Sequence, residues 1–243
     1  EPSGMTLASL HADVIVDLFE KIYNDCNADE VQIVKLEIAF LPFFKYYGHP
    51  KNIVRYLQSH PDEYVYLLSK VDKPNKSEES PISEEQRKEA KVAHDILEHF
   101  CIIPGCNTEQ LSEEIFKNWV YRGQCCAQEI GCSEAFELSL GKLLSYAPNG
   151  MDGIFPHEIV RKYLETNTSS TLINEFIIGK RNQRGVHVVT GGIEEKEMAR
   201  SYYAQAEELR ITYPNTAAIL ERLGDDYNRE SLYEQKKELM NFY

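Results

Sequence analysis

Apolar residues in this chain recur three and four positions apart in almost every segment, and nowhere do they alternate with polar ones at the period of two that a half-buried strand requires. The pattern lays hydrophobic stripes along helices and predicts an all-α protein, either a multi-helix bundle or an irregular α-solenoid of stacked helix pairs. Leu7, Leu10, Val14, Leu18 and Ile22 form the first stripe, with Ile15 and Phe19 on its flank. Asn27 and Glu30 read as a capping pair for a second helix. It carries Val31, Val34, Ile38 and Leu41 on one side and Ile33, Leu36 and Phe40 on the other, so it reads as buried nearly all round and ended by Pro42.

Pro50 and Pro61 each open a short helix, and Ser83 with Gln86 caps the next, whose inner face is Ala90, Ala93, Leu97 and Phe100. Thr108 starts a longer helix through Leu111, Ile115 and Trp119 to Ile130, closed by Gly131; Ser133 caps its expected hairpin partner. Pro156 and then Ser169 or Ser170 open two more, and glycines break the chain at Gly185 and Gly191-Gly192. Two long helices close the sequence as an antiparallel hairpin, one with Met198, Tyr202, Ala206 and Leu209, the other capped by Asn215 and carrying Ile219, Leu220, Leu223 and Tyr227. The polar, proline-bearing stretch 73–83 is the expected linker between an N-terminal helical subdomain, 1–72, and a C-terminal one, 84–243.

Charge and apolar run lengths narrow the function classes. With 26 Lys and Arg against 39 Asp and Glu, the net charge of -13 argues against general nucleic-acid or anionic-membrane binding. The longest apolar stretch, 31–44, is interrupted by Gln32, Lys35 and Glu37 and falls short of the ~20 residues that cross a bilayer. Glu1-Pro2-Ser3-Gly4 carries neither an initiator Met nor a leader pattern and reads as an edge cut from a longer chain. Six cysteines without scaffold spacing fit reduced thiols and a cytoplasmic setting.

Three clusters are candidates for chemistry. Cys101, Cys106, Cys126 and Cys132, with His94, His99 and Cys125 nearby, are dense enough for a zinc reading, but their spacings are x4 and x5 where structural zinc sites favour close pairs; buried thiols are the plainer account. Lys180, Arg181, Asn182 and Arg184 beside Gly185 form either an anion or carboxylate clamp or a set of cations at a helix C-terminus. Asp152-Gly153 with His157 and Glu158 puts two carboxylates and an imidazole close together, which suits acid–base work or, equally, an acid-rich helix start. No phosphate loop, nucleophile elbow or dinucleotide fingerprint is present, so no catalytic residue, no resident metal and no cofactor is expected.

The residues from Arg181-Asn182-Gln183-Arg184-Gly185-Val186 through Gly191-Gly192 to Glu197, Ala199, Tyr202, Ala206, Pro214, Thr216-Ala217, Leu220 and Tyr227 resemble a helical module of uncharacterised bacterial proteins. In that module an Asn-x-Arg-Gly-Val turn precedes a Gly-Gly break and two long helices. Tyr146-Ala147-Pro148, Asp152-Gly153 and Phe155-Pro156 are similar to the same family, and Phe40-Leu41-Pro42 more loosely. The resemblance implies the C-terminal part of larger multidomain proteins and implies no activity. His187 and Val188-Val189 stand where the family often has a further basic residue. The expected function is a protein-interaction, sensor or scaffold module whose partner is a protein or another domain of a longer chain. The rivals are a ligand-binding protein or enzyme built on the Asp152, His157 and Arg184 neighbourhood, and a zinc-stapled structural domain.

Overall fold

Aromatic side chains decide which face of the first helix turns inward. In α1 (Ala12–Asn24) Ile15 and Phe19 are buried, whereas Val14 and Leu18 of the expected stripe are exposed. Phe19 meets the rings of Phe40 and Phe44 with centroids 5.6 and 4.8 Å apart, and that large aromatic area outweighs the aliphatic row. The structure, a computed structural model, describes residues 12–25, 27–72, 83–107, 110–185 and 191–240. Among these residues it has twelve helices and one two-stranded ladder, so the fold is all-α.

The chain forms two units, residues 1–101 with 119–132 and residues 102–118 with 133–243. In the first, α2 (Glu30–Ala39) starts behind Asp29 rather than Asn27, because the Asp29 carboxylate accepts the Val31 N–H at 3.0 Å. Only Ile33 and Glu37 of α2 are buried, and Val31 is 59% exposed, so the helix is not enclosed all round as its composition implies. Pro42 lies in the first turn of α3 (Leu41–Phe44). Pro50 caps α4 (Lys51–Ser59), and Pro61 is the first residue of α5 (Pro61–Val71). A full capping box opens α6 (Glu84–Glu98), Ser83 and Gln86 exchanging bonds of 3.0 and 3.1 Å.

Because α5 packs along α6, the helices on either side of the expected linker belong to one unit, and the packing divides the chain later than composition does. All of 73–83 except Ser83 lies outside the described residues. Trp119 completes this core, in contact with Tyr64 and Phe100 and donating its indole N–H to the Leu57 carbonyl at 2.9 Å.

Leu111 is strand rather than helix: β1 (Cys106–Asn107) pairs antiparallel with β2 (Gln110–Leu111), Cys106 opposite Leu111. The helix expected from Thr108, itself outside the described residues, begins as α7 (Glu113–Ile130). Residues 113–118 of α7 belong to the second unit and 119–130 to the first.

In the second unit α8 (Ser133–Leu144) packs along α10 (Ser170–Asn182), whereas sequence order alone pairs it with the preceding helix. The contact is close: a Cβ on Gly141 would stand 2.5 Å from the Leu172 carbonyl oxygen. Between them in sequence lies α9 (Glu158–Thr166), which starts two residues after Pro156. α11 (Ile193–Leu209) and α12 (Pro214–Met240) form the expected hairpin, Tyr202 stacking on Tyr227 with centroids 5.7 Å apart. Pro214, not Asn215, opens α12, and its free N–H groups are capped from another helix. The Glu165 carboxylate of α9 accepts from the amides of Asn215 and Thr216 at 3.1 and 2.8 Å. No helix among the described residues is long and apolar enough to cross a membrane.

Candidate functional site

Asp152, His157 and Glu158 lie in one loop and the helix start after it, and Asp152 is held by a residue that the sequence pattern gives no reason to single out. Arg161, one turn into α9, is 1% exposed. Its guanidinium donates to both Asp152 carboxylate oxygens at 2.6 and 2.8 Å, to the Pro156 carbonyl at 2.6 Å and to the Ile154 carbonyl. It also lies over the Tyr213 ring, 5.7 Å from its centroid. One planar fork thus holds the whole 152–156 turn. A second tie closes the loop, the Met151 amide donating to Glu158 Oε1 at 2.7 Å.

His157 is the N-cap of α9. Its Nδ1 accepts the Ile159 amide at 3.3 Å and stands 3.3 Å from Glu158 Oε2. An Nδ1 that accepts from the backbone has no proton to share with Glu158, so here the ring serves as a cap.

The Arg161 guanidinium holds the Asp152 carboxyl at about 2, below the usual aspartate range. A depressed pKa contributes stability above the unfolded value and loses it as pH falls through the folded one. The Asp152 side chain is 41% exposed, and solvent screens the pair. Asp152→Asn is therefore expected to cost only about 1 kcal/mol at pH 6, with the difference from wild type shrinking between pH 4 and pH 2 in chemical denaturation.

The cations at the end of α10 split into two environments. Lys180 leaves the group: its ammonium sits 3.9 Å above the Phe155 ring and 3.4 Å from the Gln183 side-chain oxygen, and burial pushes its pKa down. Arg181, Asn182 and Arg184 line one cleft of about 440 Å³ with Tyr227 and Glu230. Arg181 faces Asp226 at 3.5 Å and Glu230 at 3.4 Å; Arg184 pairs with Glu194 at 3.0 Å and with the fully buried Glu195. The oxyanions this clamp holds are the chain's own, and they fasten α10 to α11 and α12. No contact of Arg184 among the described residues involves Asp152 or His157.

The Gly-Gly break serves the same joint. Gly192 caps α11 at φ +80°, and a Cβ there would stand 2.4 Å from the Ser231 carbonyl oxygen of α12. Ser231 also donates its hydroxyl to the Gly192 carbonyl at 2.6 Å. Gly192→Ala is expected to destabilise by about 2 kcal/mol, read as a lower urea midpoint, from left-handed strain and a backbone contact that cannot rotate away. Val186 and His187 to Val189 of the resemblance lie outside the described residues.

Cys101, Cys106, Cys125 and Cys126 are half-buried thiols and Cys132 a buried one, none in a disulfide. Burial raises the pKa of Cys106, Cys126 and Cys132, which keeps them protonated. Among the described residues no three His, Cys, Asp or Glu side chains converge to hold a metal ion.

A further opening lies elsewhere, in the first unit, as a cleft of about 690 Å³ between the turn that follows α3 and the outer face of α6. His49 and His99, which both line it, approach edge to face with centroids 6.3 Å apart. Burial, and then the neighbouring His49, push the His99 pKa below the ordinary value, while a bond from its ring to the Leu41 carbonyl ties α6 to α3. Exposed tyrosines stand alongside: Tyr46 is 75% exposed on the cleft wall, and Tyr47, half exposed, stacks on Phe43 at 4.9 Å. The sequence shows His94 and His99 close together, but no periodicity connects them to His49 some 45 to 50 positions earlier.

Comparisons with family models, with curated proteins and with solved structures find no match to this chain.

Proposed function

We propose that the chain is a non-catalytic helical interaction module whose docking surface is the aromatic and imidazole cleft of the first unit. The observation that carries this reading is the position of Tyr46 and Tyr47. Large aromatic side chains stand exposed beside this cleft of about 690 Å³, and aromatic residues at such rims supply much of the energy of protein–protein interfaces. The groups that resemble an acid–base site support the reading from the other side. Asp152, His157 and Glu158 hold their own loop through Arg161 and backbone amides, which leaves them no convergent pair aimed at a substrate. In this reading the partner is a protein or another domain of a longer chain, in a cytoplasmic setting, and the net charge of -13 disfavours an extended nucleic-acid track.

The test is to isolate a captured partner, purify it and titrate it against the chain by calorimetry. A saturable complex weakened at least about tenfold by Tyr46→Ala/Tyr47→Ala, with unchanged thermal stability, is expected. A complex indifferent to that pair but lost in Arg181→Ala/Arg184→Ala would move the surface to the second unit. Turnover of a small molecule abolished by Asp152→Asn or His157→Gln would overturn the module reading.

A further inference from the structure

The turn that Arg161 holds also collects two chemically labile dipeptides. Asn149-Gly150 is the one Asn-Gly pair in the sequence and Asp152-Gly153 the one Asp-Gly pair, and both fall within five consecutive residues. At such pairs the glycine amide, unhindered by a Cβ, can attack the preceding side-chain carbonyl carbon and close a cyclic imide. The closed turn opposes this at both glycines. The Gly150 amide donates to the Ile154 carbonyl and the Gly153 amide to the Gly150 carbonyl, each at 2.9 Å. The Ile154 carbonyl is itself gripped by Arg161, and the Met151 amide is held by Glu158 Oε1 at 2.7 Å.

The two electrophiles differ. Asp152 presents a carboxylate with both oxygens on Arg161, and its Oδ1 also accepts the Ile154 amide at 3.0 Å; a carboxylate so held is a poor target for a nucleophile. Asn149 presents a neutral carboxamide and is exposed. We propose that Asn149 is a site of spontaneous deamidation, with water as co-substrate, and that opening of the Arg161-held turn sets its rate. In the open turn the Gly150 nitrogen attacks Asn149 Cγ. The new N–C bond forms, the C–NH2 bond breaks, and the side-chain nitrogen leaves as ammonia with the Gly150 proton. Water then cleaves one of the two imide C–N bonds, giving aspartate or isoaspartate. Isoaspartate carries the main chain through the side-chain methylene, so the bonds of His157 to the Pro148 carbonyl and of Gly150 to the Ile154 carbonyl lose their common register. The product therefore marks molecules whose turn has opened.

The experiment follows residue 149 by peptide-mapping mass spectrometry of the whole chain held in oxygen-18 water at mildly alkaline pH. Conversion is expected to be at least about tenfold slower in the folded chain than in urea, because an amide bonded within a stable turn reacts only on local opening. Arg161→Lys, which keeps the charge and loses the planar fork, should speed conversion in the folded chain at least about threefold. Glu158→Ala, which frees the Met151 amide, should act in the same direction and serves if circular dichroism shows that the arginine variant does not fold. Gly192→Ala, which weakens the joint of α11 and α12 instead, should leave the rate within about twofold and so separates opening of this turn from global unfolding. Equal rates in the folded chain and in urea, no conversion in urea, or a rate unchanged in the folded turn variants would overturn the proposal. Acceleration by Gly192→Ala as large as that by the turn variants would overturn the role of the turn and assign the rate to global unfolding.

Discussion

Arg161→Ala is expected to destabilise the chain by about 4 kcal/mol, the largest effect of any single substitution considered. The side chain is buried, and its fork is shared by a carboxylate and two backbone carbonyls. Truncation strands the Pro156 and Ile154 carbonyls, removes the partner that keeps Asp152 ionised at low pH, and leaves a cavity beside Tyr213. Urea denaturation would show the loss as a lower midpoint. Arg161→Lys should recover only part of it, since an ammonium is a point charge that cannot satisfy three acceptors in the guanidinium's plane. A loss under 1 kcal/mol for the alanine variant would mean that the 152–156 turn holds its shape without the fork.

Glu37→Ala comes next, at about 3 kcal/mol. Glu37 is fully buried, yet its carboxylate accepts four bonds: from the Tyr23 hydroxyl at 2.8 Å, the Asn52 amide and side chain at 2.9 and 3.1 Å, and the Ile53 amide at 2.7 Å. It is the N-terminal cap of α4, supplied from α2, just as Glu165 of α9 caps α12. Proline stands at the N-cap of α4 and at the first position of α12, and at each of these starts the carboxylate of another helix takes the free amides. Burial and then the bond to Glu37 raise the Tyr23 pKa, so the variant should also bring the Tyr23 hydroxyl down towards the ordinary tyrosine range in an ultraviolet titration. Glu37→Gln keeps one acceptor and should lose roughly half as much.

These two residues show where sequence reading stops. Helix existence was legible almost throughout, because stripe periodicity and caps such as Ser83 with Gln86 are local. The Gly191-Gly192 break and the final hairpin were legible for the same reason. Glu37, by contrast, reads in sequence only as a charge interrupting an apolar run, and Arg161 as one more cation on a helix, since the partners of the first lie 14 to 16 positions away on two other helices and those of the second 5 to 9 positions away in a loop without periodicity. The inward face of α1 differs from its longest aliphatic row because the aromatic cluster that wins is completed by residues of α2 and α3, far along the chain. Of the candidate site, the sequence puts Asp152 and His157 in one loop and the helix start after it, but it does not show that a buried arginine engages the carboxylate and a backbone amide the imidazole. The cleft of His49, His94 and His99 was out of reach, because it exists only once α3 packs on α6.

The central claim is that the module acts through the first-unit cleft while the acid–base-like residues serve the fold. Hydrogen–deuterium exchange of the chain with and without its purified partner tests it most directly. The account predicts new protection in 41–49 and 91–99 and unchanged exchange in 148–161. Protection confined to 148–161 and 178–185, with the cleft segments unaltered, would contradict it and return function to Asp152, His157 and Arg184.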